Sequence, residues 1–187
     1  MKKFISYFSI IVLLYLFTWP IGIDPVAWKS EKPPEFEGQY EKNDILKDIK
    51  IFWENDGHEG PEDVVLHKNK VYVGYSDGTI MTTSGKFYNT NGRPLGMAFD
   101  NEDNLIIADA KRGLLSINPQ GKGKVLSTKS DTDNIPLRFT DDLDIANDGK
   151  IYFSDASFKY GYGDELKDLM EHKPVSYTHL TLPTNRE

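Results

Sequence analysis

Apolar and polar positions alternate in short runs that recur along the chain. The clearest lies between Phe139 and Tyr160, where Leu143, Asp144, Ile145 and Ala146 lead into the turn Asn147-Asp148-Gly149. A second run, Ile151-Tyr152-Phe153, ends at Ser154-Asp155. Two such runs around an Asn/Asp/Gly turn predict a β-hairpin, because Gly and Asn tolerate the positive φ that tight turns need. Pro94 to Phe99, then Asp100 to Asn104, then Leu105 to Asp109 repeat the layout, with Phe99, Leu105 and Asp109 falling where Ile145, Ile151 and Asp155 do. A third copy runs Pro61 to Leu66, His67-Lys68-Asn69 and Val71 to Gly74. Further strands are signalled at Thr79 to Thr82 and Leu114 to Ile117, each after a glycine. The copies are spaced by roughly 33 to 46 residues, the period range of four-stranded propeller blades. One blade cannot bury both of its faces alone and has to stack on its neighbours. The predicted fold class is all-β, a propeller.

The N-terminus reads differently. After Met1-Lys2-Lys3, the run Phe4 to Ile23 carries no charge. About 20 such residues are enough for a helix to cross roughly 30 Å of hydrocarbon. Lys2 and Lys3 place the N-terminus in the cytoplasm, and Tyr15 and Trp19 suit the far interface. A cleaved signal peptide is the alternative, but Pro20 to Pro25 offers no small-x-small site. Residues 1–23 are therefore expected to form a signal-anchor transmembrane helix, with the remainder outside the cytoplasm. Residues 24–44, with Pro33-Pro34 and many charges, read as a linker. Residues 45–174 read as a partial propeller, in which Ile45 to Trp53 supplies the first or closing strand. Asp164 to His172 is helical, with Leu166, Leu169 and Met170 at helical spacing. Residues 175–187 continue nothing before them and resemble translated vector or adapter sequence, so they read as a non-native tail. A propeller needs at least four blades to close and commonly has six. About three are visible here, so the chain is expected to be the N-terminal part of a longer protein.

Composition narrows the function. A formal net charge of -7 over 187 residues argues against an electrostatic grip on nucleic acid. The absence of cysteine removes disulfides, thiolate nucleophiles and Cys-ligated zinc. No Gly-x-Ser-x-Gly elbow, P-loop or dinucleotide fingerprint occurs. Most of the 29 carboxylates are turn formers or solvated groups. Glu62 and Asp141 differ in standing at the starts of repeated strands, where oxygen ligands can converge on a hard cation such as calcium. Asp109 and Asp155 close equivalent strands and read as structural, holding loop backbones by hydrogen bonds. Tyr72, Phe99, Tyr152 and Phe153 read as core between blades. His58 and His67 sit beside turn residues and read as solvated, and Asp103 as an ordinary turn residue.

GRPLGMAFDNEDNLIIADAKRGLLSINP (Gly92 to Pro119) and DDLDIANDGKIYFSDAS (Asp141 to Ser157) resemble the strictosidine synthase-like and adipocyte plasma membrane-associated protein family. That family is part of a wider superfamily of six-bladed, calcium-dependent hydrolases. The resemblance covers roughly Gly57 to Tyr160, and the anchored layout is similar too. It implies a six-bladed propeller with a calcium ion at its axis. It also implies metal ligands at Glu62, in Gly-Pro-Glu-Asp, and at Asp141, followed by Asp142. Glu59 rivals Glu62 under another alignment. Asp141 stands where the family pattern has Asn, which keeps an oxygen ligand and adds a charge. The implied activity is hydrolysis of a small-molecule lactone or ester by a membrane-anchored, extracytoplasmic enzyme. The alternative is a non-catalytic propeller that binds or scaffolds.

Overall fold

A computed structural model describes residues 2–18, 22–27, 29–51, 57–130, 134–157 and 159–171. Among these residues the strands form three antiparallel sheets in sequence order. The first contains β1 (Val64–His67), β2 (Lys70–Gly74), β3 (Thr79–Thr82) and β4 (Gly85–Asn89). The second contains β5 (Pro94–Phe99), β6 (Leu105–Asp109), β7 (Gly113–Ile117) and β8 (Gly123–Ser127). The third pairs β9 (Thr140–Ile145) with β10 (Ile151–Asp155). Within each sheet the strands follow one another as a simple meander. All three predicted hairpins form. β1 and β2 are joined through Lys68 and Asn69 at φ 45° and 62°, the left-handed pair that suits a two-residue hairpin. The outer strands β4 and β8, whose mixed polar sequences gave no strand signal, complete the two four-stranded sheets.

Period-two alternation explains how the sheets stack. On β6, Leu105 and Ile107 point into one core with Tyr72, Ile80, Met97, Leu115 and Ile117. Ile106 and Ala108 point the other way, with Leu114, Leu143, Ile151 and Phe153. The first core lies between the first and second sheets and the second between the second and third, so the middle sheet is buried on both faces. Tyr72 and Phe153 are core as expected, and Phe99 packs against the first cluster. Tyr152 is not core: it alternates with Phe153 and is 41% exposed.

At the hairpin ends a second tie joins the first two sheets. His67 stacks on Phe99 with ring centroids 3.8 Å apart, and its Nε2 lies 2.9 Å from Asp103 Oδ1. Lys68 pairs with the same carboxylate. Neither His67 as a solvated ring nor Asp103 as an ordinary turn residue survives this geometry. His58, also expected in solvent, sits 3.0 Å from Asp77 Oδ2 and against the Tyr75 ring.

Outside the sheets the sequence reading needs correction. The N-terminal helix α1 spans Lys2–Thr18, 17 residues. At about 1.5 Å per residue this is about 25 Å, short of the roughly 30 Å of a bilayer core. No described helix is long and apolar enough to cross a membrane. Residues 19–21, which the expected span included, lie outside the described residues, as does the suspected tail 175–187. Residues 45–51 form no strand and Ile45, Leu46, Ile49 and Ile51 are exposed, so this stretch neither opens nor closes a sheet; Trp53 is outside the described residues. The helix α2 (Glu165–Glu171) forms where predicted, but its leucines face outward and Glu171 is buried at 1% exposure. Glu171 Oε1 accepts from Tyr160 Oη at 2.6 Å and from the Asp24 N–H at 3.0 Å, and pairs with Lys159. These donors hold its carboxyl down at about 2. The chain after α1 is thus stapled to α2, with Val26 N–H donating to the Met170 carbonyl at 3.0 Å.

Ile107, with no exposed surface, tests the two-faced packing. Ile107→Ala should lower unfolding free energy by about 2–5 kcal/mol. The check is a urea titration, in which the midpoint should fall while the slope stays unchanged.

Candidate functional site

β1, β5 and β9 are the first strands of their sheets, and β5 packs against both of the others. Their starting ends therefore meet. Backbone approach is closest between β5 and β9, at Gly96. A Cβ there would lie 2.7 Å from the Asp142 Cα and 2.9 Å from the Leu143 nitrogen, so only glycine fits without moving a strand.

Around this meeting point is a cleft of about 280 Å³ lined by Glu62, Asp63, Leu95, Gly96, Asp141 and Asp142. The structure thus brings Glu62, Asp141 and Asp142 to one place, although they lie up to 80 positions apart in the chain. Glu59 does not line the cleft; its carbonyl accepts from the Ser76 N–H at 3.0 Å. Asp63 was not anticipated. Its Oδ2 accepts from the Met97 N–H at 2.7 Å and its Oδ1 from the Val64 N–H at 2.7 Å, tying β1 to β5. The signal was present in the sequence, since an acidic pair stands just before β1, Glu62-Asp63, and another at the start of β9, Asp141-Asp142.

Two strand-end carboxylates, neither of them in the cleft lining, hold neighbouring loops. Asp109 has no exposed surface, and its Oδ1 accepts from the backbone N–H groups of Arg93, Lys111 and Arg112 at 2.9, 2.9 and 3.0 Å. Asp155 accepts from Arg138 and, at 2.7 Å, from Phe139. Both hold the loop that leads into or out of their hairpin, as their repeat positions predict. Burial pushes the Asp155 carboxyl up, and the Arg138 and Phe139 N–H groups partly offset this.

Asp141 is half-buried, and its carboxyl is raised above the usual value. Burial is the largest cause, followed by the negative charges of Asp142, Glu62 and Asp155. Asp142 has its own partners: Oδ1 accepts from the Leu143 N–H at 2.8 Å, and its N–H donates to Ser154 Oγ at 3.2 Å. Hard carboxylate oxygens crowded until one resists ionising suit a cation in kind. In number they fall short. Among the described residues no three His, Asp or Glu side chains are grouped so as to hold a metal ion.

A sequence profile described as "Strictosidine synthase-like, N-terminal" matches residues 38–83, which include Glu62 and Asp63. Strictosidine synthase-like 4 of Arabidopsis thaliana is 38% identical, over 67% of this chain and 37% of that protein. The adipocyte plasma membrane-associated protein of Gallus gallus is 34% identical, over 80% of this chain and 40% of its own length. The chain thus spans about two fifths of the relatives it matches. A gluconolactonase structure from Xanthomonas campestris is similar at 18% identity with a TM-score of 0.46, over 52% of this chain and 35% of its own.

The crowding at Asp141 has a measurable sign. Its raised carboxyl binds a proton more readily in the folded than in the unfolded chain, so its contribution to stability is present at low pH. That contribution is lost as pH climbs from the ordinary carboxylate value through the folded one. Asp141→Asn should therefore raise the melting temperature of the metal-free protein more at pH 7 than at pH 4. Equal gains at both would show that Asp141 carries no unfavourable charge.

Proposed function

We propose, from the premise that this chain belongs to the strictosidine synthase-like family, that its acidic cleft is the near half of a calcium-dependent hydrolase site for small lactones or esters. The carrying observation is the convergence of Glu62, Asp141 and Asp142 on one cleft, with mutual repulsion that a cation would relieve. Glu62 and Asp141 would be the side-chain ligands, with Asp142 beside them. A calcium ion held there would polarise the substrate's carbonyl and offset the charge that develops on its oxygen. The chain's own part is to hold those oxygens. Gly96 lets β9 approach β5, Asp155 fixes the turn before Asp141, and the Glu62 N–H donates to the Gly74 carbonyl at 3.2 Å. Further ligands would come from blades beyond these three sheets, in a six-bladed closure.

A binding or scaffold role without catalysis is the second reading. The lack of a three-member metal group among the described residues, and Asp in the family's Asn position, favour it.

In the full-length protein, calcium binding to the native state alone should raise stability with the logarithm of free ion, by about 2.7 kcal/mol at one hundred times Kd. Asp141→Ala should remove most of this response together with lactonase or arylesterase activity, and Asp141→Asn should keep both. Asp148→Ala, in the far turn of the β9–β10 hairpin, should leave both unchanged. Melting temperature against calcium, beside an esterase assay, decides. A normal calcium response in Asp141→Ala refutes the site, and a calcium response without turnover supports the binding module.

The uncharged run Phe4 to Ile23, and relatives named for association with the plasma membrane, also support attachment to a membrane through the N-terminus, with the β region outside the cytoplasm. The protein should then stay in the membrane fraction after alkaline carbonate washing. Release as a soluble form beginning near Asp24 would refute this attachment.

A further inference from the structure

Arg93 is buried for an arginine in a turn: its side chain is 9% exposed. The second sheet fixes its main chain, through the N–H bond to Asp109 Oδ1 and a 2.9 Å bond from the Ala110 N–H to the Arg93 carbonyl. Its guanidinium crosses to the segment that leads into β1. Nη1 donates to the Gly60 carbonyl at 2.6 Å, and Nη2 donates to Glu62 Oε2 at 3.2 Å. Among the described residues its buried Nε has no hydrogen-bond partner. A guanidinium presents its donors as a rigid planar fork, and here the fork spans a backbone carbonyl and a side chain two residues later.

We propose that Arg93 is a positioning residue that sets the direction of the Glu62 carboxylate, engaging Oε2 and leaving Oε1 for a cation in the cleft. The proposal rests on the reading that Glu62 meets a cation there. Two effects oppose each other, since a guanidinium beside a ligand also repels the ion. The cleft decides between them. Glu62, Asp141 and Asp142 line the cleft together with Asp63, whose oxygens the Val64 and Met97 N–H groups hold, so the surroundings stay net negative with one guanidinium added. Direction is scarcer. Glu62 precedes β1, belongs to no strand, and its side chain is 52% exposed. A long side chain in that setting samples many rotamers unless something holds it.

The test is calcium affinity of the full-length protein by titration calorimetry, with the melting temperature of the calcium-free form measured beside it. Arg93→Gln should weaken affinity by about 10–100-fold, the range found when a partner behind a metal ligand is removed. Arg93→Lys keeps the charge but not the fork, and should recover only part of the loss. Combining Arg93→Gln with Glu62→Gln should weaken binding no further than Glu62→Gln alone. Unchanged affinity with a lowered calcium-free melting temperature would reduce Arg93 to a structural tie. Tighter binding in Arg93→Gln would show that repulsion dominates. Either overturns the proposal. Should Arg93→Gln not fold, Arg93→Lys carries the test, with a smaller loss expected and unchanged affinity overturning it. If Glu62→Gln binds calcium like the parent, Glu62 has no cation to be positioned for, and both the ligand assignment and the proposal fail. If only the Arg93 variants behave unexpectedly, the ligand assignment stands and the proposal alone fails.

Discussion

The middle sheet has two apolar faces, and that single constraint organises the molecule. A sheet with one apolar face can rest on a single partner and leave the other face to water. Leu105, Ile106, Ile107 and Ala108 leave no such option, because successive side chains point to opposite sides and all four are buried. The first and third sheets have to cover the second. Once they do, the first strands β1, β5 and β9 become neighbours, and their starting ends converge without any contact designed for that purpose. The site is a consequence of stacking.

Convergence raises a backbone problem at the same point. Three strands starting together bring unpaired N–H groups and loop carbonyls into a small, partly dry space, where each unsatisfied group costs roughly 1–3 kcal/mol. Asp109 and Asp155 answer it in the same way in successive repeats, each accepting N–H groups from the segment beside its strand end. Gly92 belongs to this device, since a Cβ there would overlap the Asp109 carboxylate. Asp63 performs the related task across the first seam, through the Met97 N–H. Several carboxylates at this end therefore hold the architecture, and only a subset is left to meet a ligand.

This division explains what could be read from the sequence. The hairpins were legible because alternation and turn chemistry are local: Leu143 to Phe153 carries its own register. Asp109 and Asp155 were legible because the repeat placed them alike. Arg93 was not, since its partners Gly60 and Glu62 lie 33 and 31 positions away and no local pattern encodes that reach. His67 was misread for the same reason, as its stacking on Phe99 and its bond to Asp103 exist only once two sheets meet. In α2 the helix was legible from its spacing but the buried residue was not: Leu166 and Leu169 face outward, and Glu171 is drawn in by Lys159, Tyr160 and the Asp24 N–H. The exposed run at 45–51 shows that apolar residues alone, without alternation, did not specify a strand.

At the cleft, charge and architecture pull in opposite directions. Asp155 is raised by burial but has two backbone donors to offset it. Asp141 is raised by burial and again by three neighbouring carboxylates, with no offsetting donor among the described residues. Nothing in the stacking of the sheets requires an ionisable side chain there, and an asparagine would avoid the repulsion while keeping an oxygen. Sequences that specify a fold are consistent across levels, and departures concentrate where function imposes them. Asp109 and Asp155 can be explained by the backbone they hold. Asp141 has no such backbone to hold, and its raised carboxyl is the feature the proposed cation site is meant to account for.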